Sequence, residues 1–301
     1  MMEPLSLKHQ AEIEQALGSF KRGEGAQALS DYSFANFYLF RDAHQYRYAP
    51  GAYPCLVGVS YDGEAYLLPL FDVRHVSLPM LQALRTNLAL PEAVLFPLAQ
   101  AQVADLKPEQ FDGHANRDDA DYVYSADQFR HYQGSVLQKK RNLVRQLLSA
   151  HELTVQPYSA ACIEGADAVL ANWMRAKGKA AGEADERPCL EALRMADQLG
   201  LQGFFFTADG EPAGFVLAES LAPDVWVMRF AKGMDHLTGI YQYMFQHVCQ
   251  ATPSLNWLNF EQDLGLANLR QTKLSYQPTH LLSKYRLRFS QEAQDTSPAA
   301  V

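Results

Sequence analysis

Gly203-Phe204-Phe205-Phe206-Thr207-Ala208-Asp209-Gly210-Glu211-Pro212-Ala213-Gly214-Phe215-Val216-Leu217-Ala218-Glu219-Ser220 contains two β-rich runs about an Asp-Gly dipeptide, 203–208 and 213–220. Asp-Gly supplies the two left-handed residues that a tight two-stranded turn requires, so the stretch reads as a hairpin. Upstream, Leu153 to Tyr158 reads as a short strand, and helical stretches follow around Ala166 to Arg175 and from Pro188 to Leu199. Downstream, Val225 to Phe230 is a strand, and Ile240, Tyr241, Met244, Phe245 and Val248 recur on one helical face. A strand from Asn256 to Phe260, a short helix near Leu266 to Lys273 and a last strand around Leu281 to Phe289 complete the order.

The first half repeats part of this succession. It has helices before Phe40, runs Cys55 to Ser60 and Ala65 to Leu70 about Asp62-Gly63, a helix near Leu78 to Leu88 and a strand Ala93 to Phe96. The order strand, two helices, hairpin, strand, helix, strand, helix, strand resembles that of the GNAT acyltransferase fold. The expected fold class is therefore α/β, with two tandem GNAT-like domains, each a mixed, mostly antiparallel sheet flanked by helices. The acidic, polar stretch Asn116 to Asp127 is the expected seam, giving domains 1–128 and 129–301, with a disordered tail after about residue 290.

With 48% hydrophobic and 20% charged residues among 301, the chain has ordinary globular usage, which disfavours disordered, collagenous and disulfide-scaffold readings. Cys55, Cys162, Cys189 and Cys249 form no CxxC pair, so they read as free thiols of a reducing compartment, and a cytoplasmic protein is expected. The start lacks an apolar signal core, and no run of 18 apolar residues occurs, so neither signal peptide nor transmembrane segment is expected. The net charge of −8 opposes a polyanion partner. Yet Gln128 to His151 (Arg130, Lys139, Lys140, Arg141, Arg145) and Leu264 to Gln291 (Arg270, Lys273, Lys284, Arg286, Arg288) hold ten of the 26 basic residues and no acid. Together in space they would make a local positive field; apart, they are two solvated faces.

No GxxxxGK[ST], HExxH, GxSxG or GxGxxG occurs, and the nine histidines have no metal-ligand spacing, so no metal site and no tightly bound cofactor are expected. Ser135 and Gln138 stand in a capping-box relation before a helix whose apolar stripe includes Lys140 near its middle. That lysine must snorkel, pair, or meet a phosphate or carboxylate. At Thr238-Gly239-Ile240 a strand gives way to a helix, a place where free N–H groups could take a donor phosphate. In Asn259-Phe260-Glu261-Gln262-Asp263, the residues Asn259, Glu261 and Asp263 would share one side of an extended strand. Glu261 could orient or deprotonate an amine, or pair with Arg270 or Lys273. Asp263 could bind substrate or cap the following helix.

These last residues lie within Asn259-Phe260-Glu261-Gln262-Asp263-Leu264-Gly265, then Leu269-Arg270, Lys273-Leu274-Ser275-Tyr276-Gln277-Pro278 and Lys284-Tyr285. This succession resembles the signature of the phosphatidylglycerol lysyltransferase C-terminal-domain-like family, and so do Ser30-Asp31-Tyr32-Ser33-Phe34-Ala35-Asn36-Phe37-Tyr38 and Lys140-Arg141-Asn142. The resemblance implies two GNAT-like domains and transfer of an acyl or aminoacyl group. The donor would be aminoacyl-tRNA, bound by its acceptor stem, or acyl-CoA. The acceptor would be an amine or hydroxyl on a small molecule, peptide or lipid headgroup. Glu261 and Tyr276 are the catalytic candidates, the latter protonating the leaving group. Lys140, Arg141, Asn259, Asp263, Arg270 and Lys273 are candidates for substrate binding, and Thr238 and Gly239 for donor phosphate. Two departures bear on this: Phe260 stands where relatives often carry arginine, and the membrane portion usual in lipid-modifying relatives is missing, which favours a soluble amine over a lipid. A non-catalytic tandem GNAT binding module is the alternative from another class.

Overall fold

The computed structural model describes residues 2–19, 27–104, 106–107 and 109–290. In chain order the elements are β1 (Glu3–Pro4), α1 (Gln10–Ser19), α2 (Phe34–Leu39), β2 (Arg47–Ala49), β3 (Cys55–Val59), β4 (Ala65–Pro69), α3 (Leu78–Asn87), β5 (Val94–Leu98), α4 (Gln100–Val103) and β6 (Phe111–Ala115). There follow β7 (Asp121–Ser125), α5 (Ala126–His131), α6 (Gln138–Ala150), β8 (Leu153–Pro157), α7 (Ile163–Ala176), α8 (Glu186–Met195), β9 (Leu201–Ala208), β10 (Glu211–Ala222) and β11 (Val225–Gly233). Last come α9 (Ile240–Ala251), β12 (Trp257–Asn259), α10 (Ala267–Leu274), β13 (His280–Leu282) and β14 (Tyr285–Phe289).

The strands form two seven-stranded mixed sheets, so the α/β, tandem GNAT-like class holds. One runs β1-β2-β3-β4-β5-β14-β6 and the other β13-β7-β12-β11-β10-β9-β8. The decisive hairpin is β9/β10, with Asp209 and Gly210 at φ 54° and 84°, the left-handed pair its Asp-Gly demanded. Each sheet contains a parallel pair, β4/β5 in the first and β11/β12 in the second, where a helix, α3 or α9, crosses between the two strands. No helix among the described residues is long and apolar enough to cross a membrane.

The chain divides into two compact units, but not at a single seam. Unit 1 comprises Met1–Asp121, Gln262–Ala267 and Leu281–Val301; unit 2 comprises Tyr122–Glu261 and Asn268–His280. This differs from the expected division 1–128 and 129–301. The cause lies in the expected last strand, which is two strands: β13 joins the second sheet, whereas β14 lies between β5 and β6 in the first. The disordered tail expected after about residue 290 lies outside the described residues. The expected capping box also fails, since α6 begins at Gln138 after Leu137 with no side-chain cap, and Gln138 N–H donates instead to the Ser135 carbonyl.

Unit 1 buries Val57, Leu67, Leu81, Leu95 and Leu287 in its core. Unit 2 buries Val216, Met244, Val248 and Leu258 together with an aromatic group that includes Phe129 and Tyr276.

Candidate functional site

Unit 1 contains a cavity of about 260 Å³, floored by charge and walled by aromatic rings. Its deepest cation is Lys284, which precedes β14 and has only 1% of its side chain exposed. Lys284 Nζ lies 2.6 Å from Asp31 Oδ2 and 2.7 Å from Asp121 Oδ1, and donates to Gln262 Oε1 (2.8 Å) and Ser30 Oγ (3.2 Å). Asp121 is itself fully buried and accepts from the Ser30 N–H (2.7 Å) and O–H (2.8 Å). Burial works against the Lys284 charge, yet the two adjacent carboxylates overcome it and hold the ammonium pKa above its ordinary value. Asp31 Oδ2, although ion-paired, has no hydrogen bond of good geometry.

Arg286 arrives on the same strand. It contacts Glu64 at 2.9 Å and Asp119 at 3.1 Å and lies over the Phe96 ring at 4.4 Å. Asp119 is raised chiefly by burial, with Arg286 opposing. The aromatic wall is Tyr46 and Tyr66, hydroxyl to hydroxyl at 2.7 Å, with His44 stacked on Tyr46 at 5.1 Å between centroids. Burial pushes both tyrosines up and His44 down. His44 Nδ1 lies 3.0 Å from the Val59 carbonyl.

Most residues singled out from the sequence lie in unit 2, and there they make internal contacts. The run Asn259, Glu261, Asp263 does not alternate along a strand: β12 ends at Asn259, and Glu261 adopts φ 57°. Buried Asn259 accepts the Glu261 N–H at 2.7 Å. The Glu261 carboxylate pairs with Arg229 at 2.5 Å, and Glu219 takes the same guanidinium at 2.9 Å. Lys273 donates to the carbonyls of Phe260 (2.6 Å) and Glu261 (3.1 Å). Tyr276, 3% exposed, sits in the aromatic core; its hydroxyl accepts from Gln242 at 2.7 Å, and burial raises its pKa. Lys140 resolves its three options by pairing: Nζ lies 2.7 Å from Ser275 Oγ and 3.9 Å from the Tyr276 ring centroid. Desolvation, and then Lys139, lowers its pKa. Arg141 donates to the Tyr132 carbonyl at 2.5 Å. Arg270, on α10, is half-buried.

Asp263 belongs to unit 1, where it is fully buried. It accepts from the Gly265 N–H at 2.9 Å and meets Arg117 at 3.4 Å, forming a turn ahead of α10. At the expected donor-phosphate position Thr238 is exposed, but Gly239 (φ 98°) lies under α6, and a Cβ there would meet the Leu143 carbonyl oxygen at 2.4 Å. An acceptor oxygen thus occupies one side of the helix start. Phe260, where relatives often carry arginine, packs on Tyr124 and Phe245, both at 4.8 Å.

Several members of the two acid-free basic stretches are engaged inside their own units. Arg130 donates to the carbonyls of Cys249 and Leu255, and the second stretch is shared between the units, with Lys284, Arg286 and Arg288 ion-paired in unit 1. Site-by-site reading missed Asp31, His44, Asp121 and Lys284. The available signal was that Ser30-Asp31, Gln262 and Lys284 fall in three separated segments that carry the family resemblance, and the fold brings all three to one cavity. Among the described residues no group of three or more His, Cys, Asp or Glu is placed to hold a metal ion.

Comparison with known proteins bears on this arrangement. The pattern of the family "Phosphatidylglycerol lysyltransferase, C-terminal" matches residues 22–288. No curated protein matches. Among solved structures, a conserved protein of unknown function from Bacteroides thetaiotaomicron is similar with TM-score 0.80 at 21% identity, covering 96% of this chain and 99% of its own. L-PGS from Bacillus licheniformis is similar with TM-score 0.62 at 12% identity, over 99% and 94% of the two chains. The C-terminal domain of a protein described as a lysylphosphatidylglycerol synthetase from Agrobacterium fabrum gives 0.59 at 12%, over 94% of each. At these identities the structural likeness establishes the fold.

Proposed function

Because this chain belongs to the phosphatidylglycerol lysyltransferase C-terminal family, we propose that it transfers an aminoacyl group from aminoacyl-tRNA to an amine or hydroxyl acceptor, with the cavity of unit 1 as a substrate site. The observation that carries this reading is the convergence of Asp31, Gln262 and Lys284, drawn from three separated family-like segments, on one cavity. Attack on an activated ester needs only a deprotonated nucleophile, a stabilised oxyanion and correct placement, so no covalent enzyme intermediate is required.

In this reading Glu261 acts through Arg229, and Tyr276 through Lys140 and Gln242, as positioning residues. Within unit 2 the exposed groups left for substrate contact are Thr238, Lys139 and Arg145. An acyl-CoA donor is the second reading. The Leu143 carbonyl beside Gly239 weighs against it, because a pyrophosphate seated there would face an acceptor oxygen.

The test is a panel of radiolabelled aminoacyl-tRNAs and acyl-CoAs, scored for binding and then for transfer to small amines and alcohols. Transfer from aminoacyl-tRNA, reduced at least tenfold in Asp31→Asn, is expected. Transfer from acyl-CoA alone would replace this reading with the second, and binding without transfer across the panel would make the chain a binding module. With so many of the basic residues engaged internally, few phosphate contacts are expected, and the log–log salt slope, roughly −0.7 per contact on a single strand, should stay shallow.

A further inference from the structure

We propose that the unit 1 cavity receives the amine that accepts the acyl group, with His44 Nε2 taking the proton its nitrogen loses as the new C–N bond forms. This rests on the transferase reading and names its acceptor class.

The protonation pattern of the cavity leads there. The Val59 carbonyl can only accept, so His44 carries its hydrogen on Nδ1, leaving Nε2 a lone-pair acceptor with no partner among the described residues. Tyr46 and Tyr66 share one hydrogen between their hydroxyls at 2.7 Å, so one O–H of this deeply buried pair has no protein acceptor. The Lys284 ammonium spends its donors on Asp31, Asp121, Gln262 and Ser30, so it offers little to a ligand. A ligand entering this space meets the unfilled acceptor Nε2 of His44 beside the spare tyrosine O–H, and therefore must bring at least one donor.

Charge and shape select the same group. Four carboxylates, of Asp31, Asp62, Asp118 and Asp119, line the cavity against the two cations Lys284 and Arg286. A phosphate or carboxylate would be repelled, whereas an ammonium gains both this field and the faces of the aromatic wall. The volume of about 260 Å³ lies just under the usual 300–1,000 Å³ of ligand pockets, which suits a small amine or the end of a longer one. The groups facing His44 are Tyr46, Tyr61 and Tyr66 by ring contact and Asp31 and Lys284 by charge, the last two opposed. Burial dominates and lowers the His44 pKa, keeping the ring neutral and able to accept near pH 7.

The step balances without a co-reactant. The bound ammonium first releases one proton to solvent. The amine nitrogen then attacks the acyl carbon, forming the C–N bond, and its surplus proton passes to His44 Nε2. The acyl C–O bond breaks, the leaving oxygen takes that proton from Nε2, and the imidazole returns to neutral.

Putrescine and 1,4-butanediol, alike in shape but differing in charge, are the probes, read by the NMR signal of His44 Cε1–H assigned by its loss in His44→Gln. Putrescine should shift this signal saturably and bind at least tenfold more tightly than the diol. Asp62→Asn, an exposed change that spares the fold, should weaken putrescine two- to fivefold. His44→Gln, whose amide can still donate to the Val59 carbonyl, should bind putrescine within threefold of the parent yet lose about 10²–10⁴-fold in transfer. It should also abolish a rise of kcat/KM through a pKa below 6.5. Equal binding of the diol, a His44 signal unmoved by saturating putrescine, or full transfer by His44→Gln would overturn the proposal. Transfer to alcohols alone would refute the amine assignment while the transferase reading stands. Putrescine binding with no transfer from any donor would refute the transferase reading and the base role of His44 together.

Discussion

Replacing Lys284 by Met removes the only ammonium from a group that holds two carboxylates, one of them, Asp121, fully buried. Methionine is close in length, so the cavity left behind is small and the effect is electrostatic. Breaking a buried pair from one side typically costs about 3–5 kcal/mol, because the remaining charge stays desolvated without compensation. Asp121 keeps its two hydrogen bonds from Ser30, which places the expected loss toward the lower end, about 3 kcal/mol. That is a large share of a total stability of roughly 5–15 kcal/mol, and at roughly 2–4 °C per kcal/mol it lowers the midpoint by about 6–12 °C. In the variant, protonation relieves a buried carboxylate left without its counter-charge, so the loss must shrink as pH falls toward the ordinary carboxylate range near about 4. Urea titration of parent and variant at pH 7.5 and 4.5 measures this. A loss below about 1 kcal/mol at pH 7.5, or one unchanged at pH 4.5, would refute the argument.

Gly239→Ala should cost at least about 2 kcal/mol, since it combines a left-handed backbone with a Cβ 2.4 Å from the Leu143 carbonyl; thermal melting reads it. Lys140→Met should change stability by less than about 1 kcal/mol, because methionine still covers the Tyr276 ring and only the Ser275 bond is lost. All four cysteines are buried, with Cys55 and Cys249 pushed up to about 12, so Ellman's reagent should find no fast-reacting thiol until denaturant is added. His44 has a folded pKa below its unfolded value, so stability should fall as pH drops from about 6.5 toward that folded pKa and flatten beneath it, and His44→Gln should remove this slope.

The second sheet was legible almost element by element, because its signals are local: Asp209-Gly210 for the hairpin, and the period of Ile240 to Val248 for α9. Where the reading failed, the deciding contact was distant in sequence. Nothing between Leu281 and Phe289 announces that two strands of one short run pair in different sheets. The same holds for the site. For Glu261 the nearby residues suggest an amine, Arg270 or Lys273, whereas its partner Arg229 lies 32 positions away on β11, and Lys284 reads as one member of a basic stretch because Ser30 lies 254 positions away. Basic residues clustered in sequence read as a field, whereas in the fold many of them are donors to carbonyls or members of ion pairs. Only the family-like segments crossed this distance, since they marked Asp31 and Lys284 without stating that they meet.

β14 fills the slot between β5 and β6, and Lys284 and Arg286 come with it. A ribosome therefore delivers the first sheet with a missing stave. Until residues beyond 280 emerge, β5 and β6 lack their shared neighbour, and Asp31, Asp119 and Asp121 wait without their cations. The middle of the chain, by contrast, already holds nearly all of its own strands. The part made first is thus completed last, and the cavity acquires its charge pattern only once β14 has been made and paired. A nascent chain stalled before residue 281 would carry an acidic, open-edged sheet that is a natural client for chaperones.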